Sequence, residues 1–407
     1  MTFSNLGLDP IFVDAVEKKG YRVPTPVQSK VIPWILKGKD ILASAQTGTG
    51  KTAGFTLPLL QRLSKRKHHP SRSVRALILT PTRELASQVH ENVKEYSVFS
   101  DLKSTVIYGG VNQKSQVRKI RSGIDVLVAT PGRLLDLHNQ RIIHFDKIEV
   151  LVLDEADRML DMGFHREISK IIGLLPDKRQ NLLFSATFSN DIKSLAQGLL
   201  NHPVNIETNP KNSTVEAINQ FVYKVDKARK TELIIKLIKE GDWDQVLVFT
   251  RTKHGANNLC KKMKSSNINA MAIHGNKSQT ARTNALAGFK DGSVNVLVAT
   301  DIAARGIDIP LLPHVVNFEL PNIPEDYIHR IGRTGRAGSN GEAVSLVSVD
   351  EYAYLEDIQK LINFKIPSEI PDDFPLDPRI TAAPAKKKNR SRPRSSKRSR
   401  KRSGKRR

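Results

Sequence analysis

The sequence is poor in cysteine, in aromatic residues and in long apolar runs, and each shortage excludes a class of protein. Its 407 residues include one cysteine, Cys260, which excludes a disulfide framework and a cysteine-rich zinc site. Aromatic residues make up 6% of the chain, which disfavours nucleic-acid binding on an aromatic platform. No apolar run approaches the roughly 20 residues of a membrane span. Residues 1–20 lack a basic segment before an apolar core, so we expect no secretory signal and a soluble, cytoplasmic protein.

Acidic residues are also scarce relative to basic ones. The chain has 65 Lys and Arg against 41 Asp and Glu, a net charge of +24, which favours a polyanionic partner such as nucleic acid. Residues 386–407 contain 14 basic residues, no acid and almost nothing apolar to bury, so we expect a disordered tail. Such a tail either serves solubility alone or binds nucleic-acid phosphates without reading sequence, and the second interpretation is favoured.

Short apolar runs alternate with helix-like segments through both halves of the chain. The runs rich in Val, Ile and Leu are residues 76–80, 126–130, 150–153, 182–185, 246–250, 270–274, 294–300 and 315–318. Continuous apolar strands separated by helices are typical of parallel sheets covered on both faces, so the pattern predicts two α/β domains. The run Val-Leu-Val-Ala-Thr occurs at 126–130 and again at 296–300, although any buried strand could have this composition. The turn-rich stretch 207–217 is the expected boundary.

A short apolar strand is followed by a glycine-rich loop and then by an apolar helix. The loop from Ala45 to Thr52 reads Ala-Gln-Thr-Gly-Thr-Gly-Lys-Thr, the pattern of a phosphate-binding P-loop in its required context. Gly48 and Gly50 would let backbone N–H groups converge on phosphate oxygens. Lys51 would reach the β- and γ-phosphates, and the Thr52 hydroxyl would ligate Mg²⁺. Ala45 stands where the general pattern has glycine, so the first turn must form without one.

A group of acids follows the apolar run at 150–153. Asp154 would emerge at the end of this strand, where it can hold Mg²⁺ partly through water. Glu155 is the natural general base for an attacking water. Three acids at a strand end, with Asp157 as the third, repel one another unless a cation compensates them, which strengthens the metal interpretation. A helix N-cap would explain one Asp here but not the P-loop upstream.

These motifs, in this order, resemble those of the DEAD-box ATP-dependent RNA helicases, and the resemblance covers residues 3–366. The Asp-Glu-Ala-Asp run at 154–157 is the family's eponymous motif, and residues 20–28 resemble its adenine-reading Q motif. By that resemblance, Gln28 would hydrogen-bond adenine and Phe3 would stack near it. The resemblance implies two tandem RecA-like domains, ATP and Mg²⁺ as cofactors, and RNA bound through its backbone. Within the family the chain is most similar to the bacterial RhlE-type branch with its basic C-terminal extension.

The resemblance also implies roles for residues spread along both domains. Those expected to contact the nucleotide are Phe3, Gln28, Gly48, Thr49, Gly50, Lys51, Thr52, Asp301 and Arg305. Those expected to contact RNA are Pro81, Thr82, Arg83, Gly110, Thr130, Arg133, Arg251, Gln279, Arg282 and Thr300. Those expected to couple the ATP site to RNA are Asp157, Ser185, Thr187 and His329. Arg333 and Arg336 would be arginine fingers that stabilise charge on the transferred phosphoryl group.

The expected organisation is two ATPase-like domains joined by a hinge. A RecA-like domain would span 1–207, a linker 208–217 and a second RecA-like domain 218–368, followed by an extended linker over 369–385 and the tail. Because both ATP and RNA contacts are divided between the domains, hydrolysis would require closure, and the two ligands would bind cooperatively. Ribosome or RNA-degradation assemblies are further candidate partners.

Two other classes of function compete with an unwinding helicase. One is an ATP-gated RNA clamp or scaffold without productive unwinding. The presence of Glu155, Arg333 and Arg336, the residues expected to catalyse hydrolysis, disfavours it. The other is a DNA-directed translocase of the same superfamily, because no residue in the sequence proves a preference for RNA by itself.

Several conspicuous residues are expected to be structural. Cys260 is expected to be an inert, partly buried thiol, and Trp34 and Trp243 are expected to pack in the cores. The pair at 68–69, two histidines, lies in a basic loop without a nearby cysteine or acid, which disfavours a metal site. Arg330 is expected to form surface ion pairs only.

Overall fold

The structure is a computed structural model that describes residues 2–45, 48–65, 73–208, 218–304, 309, 312–334 and 341–380. The predicted linker from residue 209 on, the tail, the histidine pair at 68–69, Arg305 and Arg336 lie outside these residues. Within the described ranges, no helix is long and apolar enough to cross a membrane.

The first lobe, residues 2–208, is a seven-stranded parallel sheet packed between helices. Its strands are β1 (Ile41–Ser44), β2 (Ala76–Leu79), β3 (Ser104–Ile107), β4 (Val126–Ala129), β5 (Val150–Leu153), β6 (Gln180–Ser185) and β7 (Val204–Glu207). Its helices are α1 (Pro10–Lys18), α2 (Pro26–Leu36), α3 (Lys51–Ser64), α4 (Arg83–Tyr96), α5 (Gln113–Arg121), α6 (Pro131–Asn139), α7 (Ala156–Asp161), α8 (His165–Leu174) and α9 (Asn190–Leu199). The strand order is β3-β4-β2-β5-β6-β1-β7.

The second lobe, residues 218–380, has the same architecture. Its strands are β8 (Asn219–Lys224), β9 (Val246–Phe249), β10 (Ala270–Ile273), β11 (Val296–Ala299), β12 (His314–Asn317), β13 (Glu342–Val347) and β14 (Ser368–Glu369). Its helices are α10 (Lys230–Glu240), α11 (Lys253–Ser265), α12 (Gln279–Lys290), α13 (Asp301–Ala304), α14 (Pro324–Ile331) and α15 (Tyr352–Ile362). The order of this parallel sheet is β10-β11-β9-β12-β13-β8-β14.

The two sheets repeat one topology. Each strand of the second sheet occupies the place of the first-lobe strand seven numbers below it, so β10 corresponds to β3 and β11 to β4. The Val-Leu-Val-Ala runs at 126–129 and 296–299 are β4 and β11, which hold equivalent places. The repeated sequence therefore marks equivalent strands, which its composition alone could not establish.

The apolar runs are continuous because both faces of each sheet are buried. In β5, Val150 and Val152 join the core on one face, whereas Leu151 and Leu153 join the core on the other. Successive strand side chains point to opposite faces, so a strand covered by helices on both sides must be apolar throughout. Each of the eight predicted runs forms a strand, which confirms the prediction of two parallel α/β domains.

The strands that the sequence did not reveal are more polar. Ser104–Ile107 and Val204–Glu207 lie at the two edges of the first sheet, where fewer neighbours cover them. Asn219–Lys224 carries polar residues at both ends, and Glu342–Val347 has Ser345 between apolar residues. Apolar continuity therefore detects most central strands and fails for these four and for the two-residue strand β14.

The second lobe extends beyond its predicted end at residue 368. The ring of Phe374 is 2% exposed and packs in a core with Val225 and Leu233. The Arg229 guanidinium lies 4.2 Å from the centre of that ring. The segment 369–385 was expected to be an extended linker, but Phe374, the only aromatic residue in it, anchors it to the lobe.

Three structural expectations concerned isolated residues. Cys260 is buried, as expected. Trp243 stacks on His314 with ring centres 4.3 Å apart. The prediction for Trp34 was wrong, because its ring is 39% exposed and lies under the Lys37 ammonium group at 4.7 Å.

Candidate active site and nucleic-acid interface

The predicted motifs of the first lobe meet at the carboxyl-terminal end of its sheet. All strand pairs are parallel, so the carboxyl ends of the strands lie together, where α/β proteins commonly bind ligands. The loops after β1, β2, β4, β5 and β6 contain the motifs at 45–52, 81–83, 130–133, 154–157 and 185–187. Parallel topology thus collects segments that are up to 140 residues apart in the chain.

The P-loop has a backbone that requires glycine at its last turn. Gly50 has a φ of +89°, and a β-carbon there would lie 2.4 Å from Gln28 Nε2. That Nε2 donates a hydrogen bond to the Gly50 carbonyl at 3.1 Å, while Gln28 Oε1 accepts one from the Thr25 N–H at 2.9 Å. Gln28 therefore caps helix α2 and holds the P-loop at the same time.

Lys51 is the first residue of α3 and is held inside the loop. Its Nζ donates a hydrogen bond to the Ala45 carbonyl at 2.6 Å, and the residue is 6% exposed. Burial lowers the pKa of Lys51, while Asp154 and Glu155 act in the opposite direction. Ala45, which stands where the general pattern has glycine, is not among the positive-φ residues of the described chain. A buried ammonium group with one carbonyl partner is suited to receive phosphate oxygens.

A cavity of about 350 Å³ opens at the P-loop. The predicted residues that line it are Gln28, Gly48, Gly50, Lys51, Thr52, Asp154 and Glu155. Phe3 is not part of this lining, because its ring is 2% exposed in the core. The aromatic residues that do line the cavity are Tyr21 and Tyr96, which the sequence analysis did not single out.

Asp154 has the environment of a cation ligand. It is 2% exposed, and its Oδ1 is buried without a hydrogen-bond partner in the described structure. Burial raises the pKa of Asp154 to about 7, although Lys51 opposes this effect. No group of three or more His, Cys, Asp or Glu among the described residues could hold a metal by itself. The oxygens of Asp154 and Thr52 therefore fit an Mg²⁺ ion that takes its remaining ligands from water and a nucleotide.

Glu155 is held in a conformation that is unusual for a side-chain-bearing residue. Its φ is +54°, at the start of α7, and it is 3% exposed. Arg158 Nη1 donates to Glu155 Oε2 at 2.9 Å, and Arg158 is itself 2% exposed. The ion pair holds the carboxylate of Glu155, which lines the P-loop cavity and has a strained backbone.

Asp157 connects the acidic motif to the loop after β6. Its Oδ2 accepts hydrogen bonds from the backbone N–H groups of Ala186 and Thr187, both at 3.0 Å. Ser185 Oγ accepts a third, from the Thr187 N–H at 3.3 Å. A displacement of α7 would therefore move the loop that begins at Ser185, which is the connection expected of a coupling element.

A second cavity, of about 520 Å³, lies between the lobes. The predicted RNA-contact residues that line it are Pro81, Thr82, Arg83, Thr130, Arg133 and Arg282. Its lining also includes Gly109 and Gly275. Arg83 packs so tightly on Gly110 that a β-carbon there would lie 2.0 Å from its Nη1. The structure thus brings together predicted residues from three first-lobe loops and one second-lobe helix.

Glu84 joins the two lobes beside this cavity. Its carboxylate accepts hydrogen bonds from Arg282 Nη2 at 2.8 Å and from Gln279 Nε2 at 2.9 Å. Glu84 is 6% exposed and Arg282 is 8% exposed, so the ion pair is largely shielded from water. Glu84 was not among the predicted contact residues, although its place one residue after Arg83 at the start of α4 was a usable signal.

The predicted residues of the second lobe are only partly assembled. Arg333 and His329 line a small space that they share with Arg158 of the first lobe, apart from the P-loop cavity. Arg251 lies 3.3 Å from the Glu351 carboxylate, and its N–H donates to Glu319 at 2.7 Å. Thr300 lines neither large cavity.

Arg330 is a buried structural residue, so the expectation of surface ion pairs was wrong. It is 1% exposed and donates to both oxygens of Asp301, from Nε at 2.6 Å and from Nη2 at 2.8 Å. Its Nη1 donates to Asn317 Oδ1 at 3.0 Å, and its guanidinium lies 5.0 Å from the centre of the Phe249 ring. The pair ties α14 to α13 and occupies the Asp301 carboxylate.

Comparison with known proteins identifies the family. A DEAD/DEAH box helicase model matches residues 25–195, and a helicase conserved C-terminal domain model matches residues 229–338. The DEAD-box ATP-dependent RNA helicase RhpA of Helicobacter pylori is 43% identical over 366 residues, which cover 90% of this chain and 73% of that protein. This chain belongs to the DEAD-box RNA helicases. The RhlE-type branch stays a prediction.

The arrangement of this DEAD-box protein's lobes is similar to that of an RNA-bound relative. The structure of S. cerevisiae Dbp5 bound to RNA and ADP BeF3 gives a TM-score of 0.82, with 32% identity over 91% of this chain and 96% of that one. A point variant of the same yeast protein, bound to Nup159, a Gle1 variant, IP6 and ADP, gives 0.62 at the same identity, over 90% and 96% of the two chains. These two forms have nearly the same sequence, and this chain fits the RNA-bound form better.

Proposed function

We propose that this protein is an RNA-dependent ATPase that binds the RNA backbone and locally unwinds or remodels RNA duplexes and RNA–protein complexes. The observation that carries the proposal is the Asp157 connection, which joins the P-loop cavity to the loop after β6. Family membership supplies the reaction, ATP and water giving ADP and phosphate. The cytoplasm, where RNA is abundant, is the proposed location.

The P-loop cavity is the proposed ATP site. Gln28 and Tyr21 would contact the base, and Gly48, Thr49 and Gly50 would surround the phosphates with backbone N–H groups. Lys51 would exchange the Ala45 carbonyl for a β- or γ-phosphate oxygen. When bound, Mg²⁺ would neutralise phosphate charge, held by Thr52 and Asp154. Phe3 would act from the core, by supporting the residues around the base.

Glu155 is the proposed general base. Its carboxylate would accept the proton of the attacking water as the terminal phosphoryl group departs. Arg158 holds this carboxylate in place at 2.9 Å. Arg333 shares a small space with Arg158, so a shift of the second lobe would bring it towards the phosphates as an arginine finger. Arg305 and Arg336 complete the proposed set, and both lie outside the described residues.

The interlobe cavity is the proposed RNA site. Threonine hydroxyls, arginines and glycine backbone at loop ends are suited to phosphates and riboses and carry no base-reading pattern. Contacts to 2′-hydroxyl groups would favour RNA over DNA. Because the cavity needs both lobes, RNA binding and ATP binding would each favour closure and therefore each other. A duplex that does not fit the closed cavity would lose one strand.

The decisive experiment compares ATP turnover with no nucleic acid, with RNA and with DNA of equal length. We expect RNA to stimulate turnover more than DNA, and Glu155→Gln to abolish the stimulated rate while ATP binding persists. A clamp without turnover would hydrolyse no ATP in response to RNA, so Glu155→Gln would not change its rate. Equal stimulation by DNA would favour the translocase alternative.

A further inference from the structure

Helix α5 of the first lobe carries a row of cations that the proposed ATP and RNA sites do not use. Lys114, Arg118 and Arg121 are exposed and share one face of α5, because residues three, four and seven apart lie on the same side of a helix. The helix has no acidic residue, and these three have no ion pair within the described ranges. Cations without acidic neighbours leave a positive surface open to an anionic ligand.

The row borders a groove of about 400 Å³ with an apolar floor. Val117 and Ile142 are the apolar residues of this groove, and Gln113 also lines it. The side-chain amide of Gln113 exchanges hydrogen bonds with that of Gln140, at 3.2 and 3.4 Å. We call this surface the α5 groove. It places two apolar side chains beside three cations, a combination that suits a nucleotide.

The helix dipole does not account for the whole row. Cations in the last turn, such as Arg118 and Arg121, are favourable in any helix. Lys114 lies in the first turn, where the dipole disfavours a positive charge. The positions of the three cations therefore match the groove, and the helix dipole explains only the two in the last turn.

The α5 groove adjoins the interlobe cavity. Asn112 Oδ1 caps α5 by accepting the Lys114 N–H at 2.9 Å, and Asn112 lies three residues after Gly109, which lines the cavity. Arg133, which lines the cavity, donates to the Val111 carbonyl at 3.4 Å. The loop from Gly109 to Asn112 thus separates the two surfaces by only a few residues. A strand that crosses this loop would reach the groove directly.

We propose that the α5 groove binds the RNA segment that leaves the interlobe cavity across Gly110. Lys114, Arg118 and Arg121 would contact successive phosphates along about 10 Å of helix, since each helical residue rises 1.5 Å. One base would lie against Val117 and Ile142. This inference rests on the RNA-directed function proposed above. Continuity with the cavity favours RNA over an acidic protein as the occupant.

The test compares two RNAs on the full-length protein by fluorescence anisotropy over a range of KCl concentrations. The first is the shortest single strand that stimulates ATP turnover, and the second is the same strand extended at both ends. The groove variant carries Lys114→Gln, Arg118→Gln and Arg121→Gln. The control variant carries Lys119→Gln, Lys170→Gln and Lys193→Gln, three exposed substitutions outside the groove with the same loss of charge.

We expect the extended RNA to bind the groove variant about tenfold more weakly than the control, with a salt slope shallower by about 2, since each single-strand phosphate contact contributes about 0.7. The shortest RNA should bind and stimulate all three proteins equally. Equal affinities and slopes for the extended RNA would overturn the inference. So would a loss of polyglutamate binding in the groove variant with RNA binding intact, which would assign the groove to an acidic protein. If no RNA stimulated turnover, the proposed function itself would fail.

Discussion

Replacing Glu84 with glutamine should weaken the closed arrangement of the lobes without touching the ATP site. Glu84 is the first-lobe partner of Arg282 and Gln279, and it does not line the P-loop cavity. Glutamine keeps an acceptor for Gln279 but removes the charge that faces Arg282. When the lobes open, the Arg282 guanidinium would be hydrated again. The substitution should therefore reduce the free energy of lobe closure and leave the free energy of unfolding unchanged.

The size of the effect follows from the burial of the pair. A hydrogen bond to a charged group contributes about 1.5–3 kcal/mol, and both side chains are under a tenth exposed, so solvent screening is slight. A loss of about 2 kcal/mol corresponds to an RNA affinity weaker by about 30-fold in the presence of an ATP analogue. ATP affinity in the absence of RNA should not change.

The assay is RNA binding with and without a non-hydrolysable ATP analogue. Glu91→Gln is the matched control, because Glu91 is an exposed acid on the same helix α4. A double-mutant cycle with Arg282→Gln should return a coupling of about 2 kcal/mol, which separates the ion pair from any direct contact of Arg282 with RNA. Unchanged RNA affinity in Glu84→Gln, or a lower ATP affinity without RNA, would refute the reasoning.

Three other predictions concern separate parts of the chain. Gly50→Ala should abolish ATP binding, because the added β-carbon would clash with Gln28 and the residue has a left-handed backbone. Gly173→Ala is the control, since a β-carbon at this position on α8 meets no atom, and it should bind ATP normally. Equilibrium titration with ATP would measure both. Burial raises the pKa of Cys260 to about 11, so at pH 8 about one thiol in a thousand is ionised. Labelling of this thiol by a thiol-reactive reagent should be over 100-fold slower in the folded protein than in urea, and equal rates would contradict the burial. Truncation after Ala385 should weaken RNA binding and flatten its salt dependence while ATP turnover at saturating RNA persists; an unchanged slope would show that the tail does not bind RNA.

The sequence predicted the central strands and the ATP site because both depend on local patterns. A run such as 150–153 must be apolar in every position when both faces are covered, and the P-loop requires its glycines and lysine at fixed spacing. The edge strands β3 and β7 escaped, because partial exposure permits polar residues there. Phe374 escaped because a single aromatic in a Pro- and Asp-rich segment produces no periodic signal.

Contacts between distant segments could not be predicted in the same way. The Glu84–Arg282 pair joins residues 198 positions apart, and nothing local to either residue identifies the other. Arg330 was misjudged for the same reason, since its burial depends on Asp301 and Asn317 from other elements. Phe3 was assigned to the base by resemblance alone, whereas the structure places Tyr21 at the cavity. Spacing fixes local geometry, but tertiary packing decides which charges meet.

The most direct test of lobe closure is the distance between the lobes, measured by single-molecule fluorescence transfer. Dyes at Lys193→Cys and Glu356→Cys would report it, because both positions are exposed on different lobes and the native Cys260 is buried. We expect a closed population that becomes dominant only when RNA and an ATP analogue are both present. Full closure with either ligand alone, or no change with both, would contradict it.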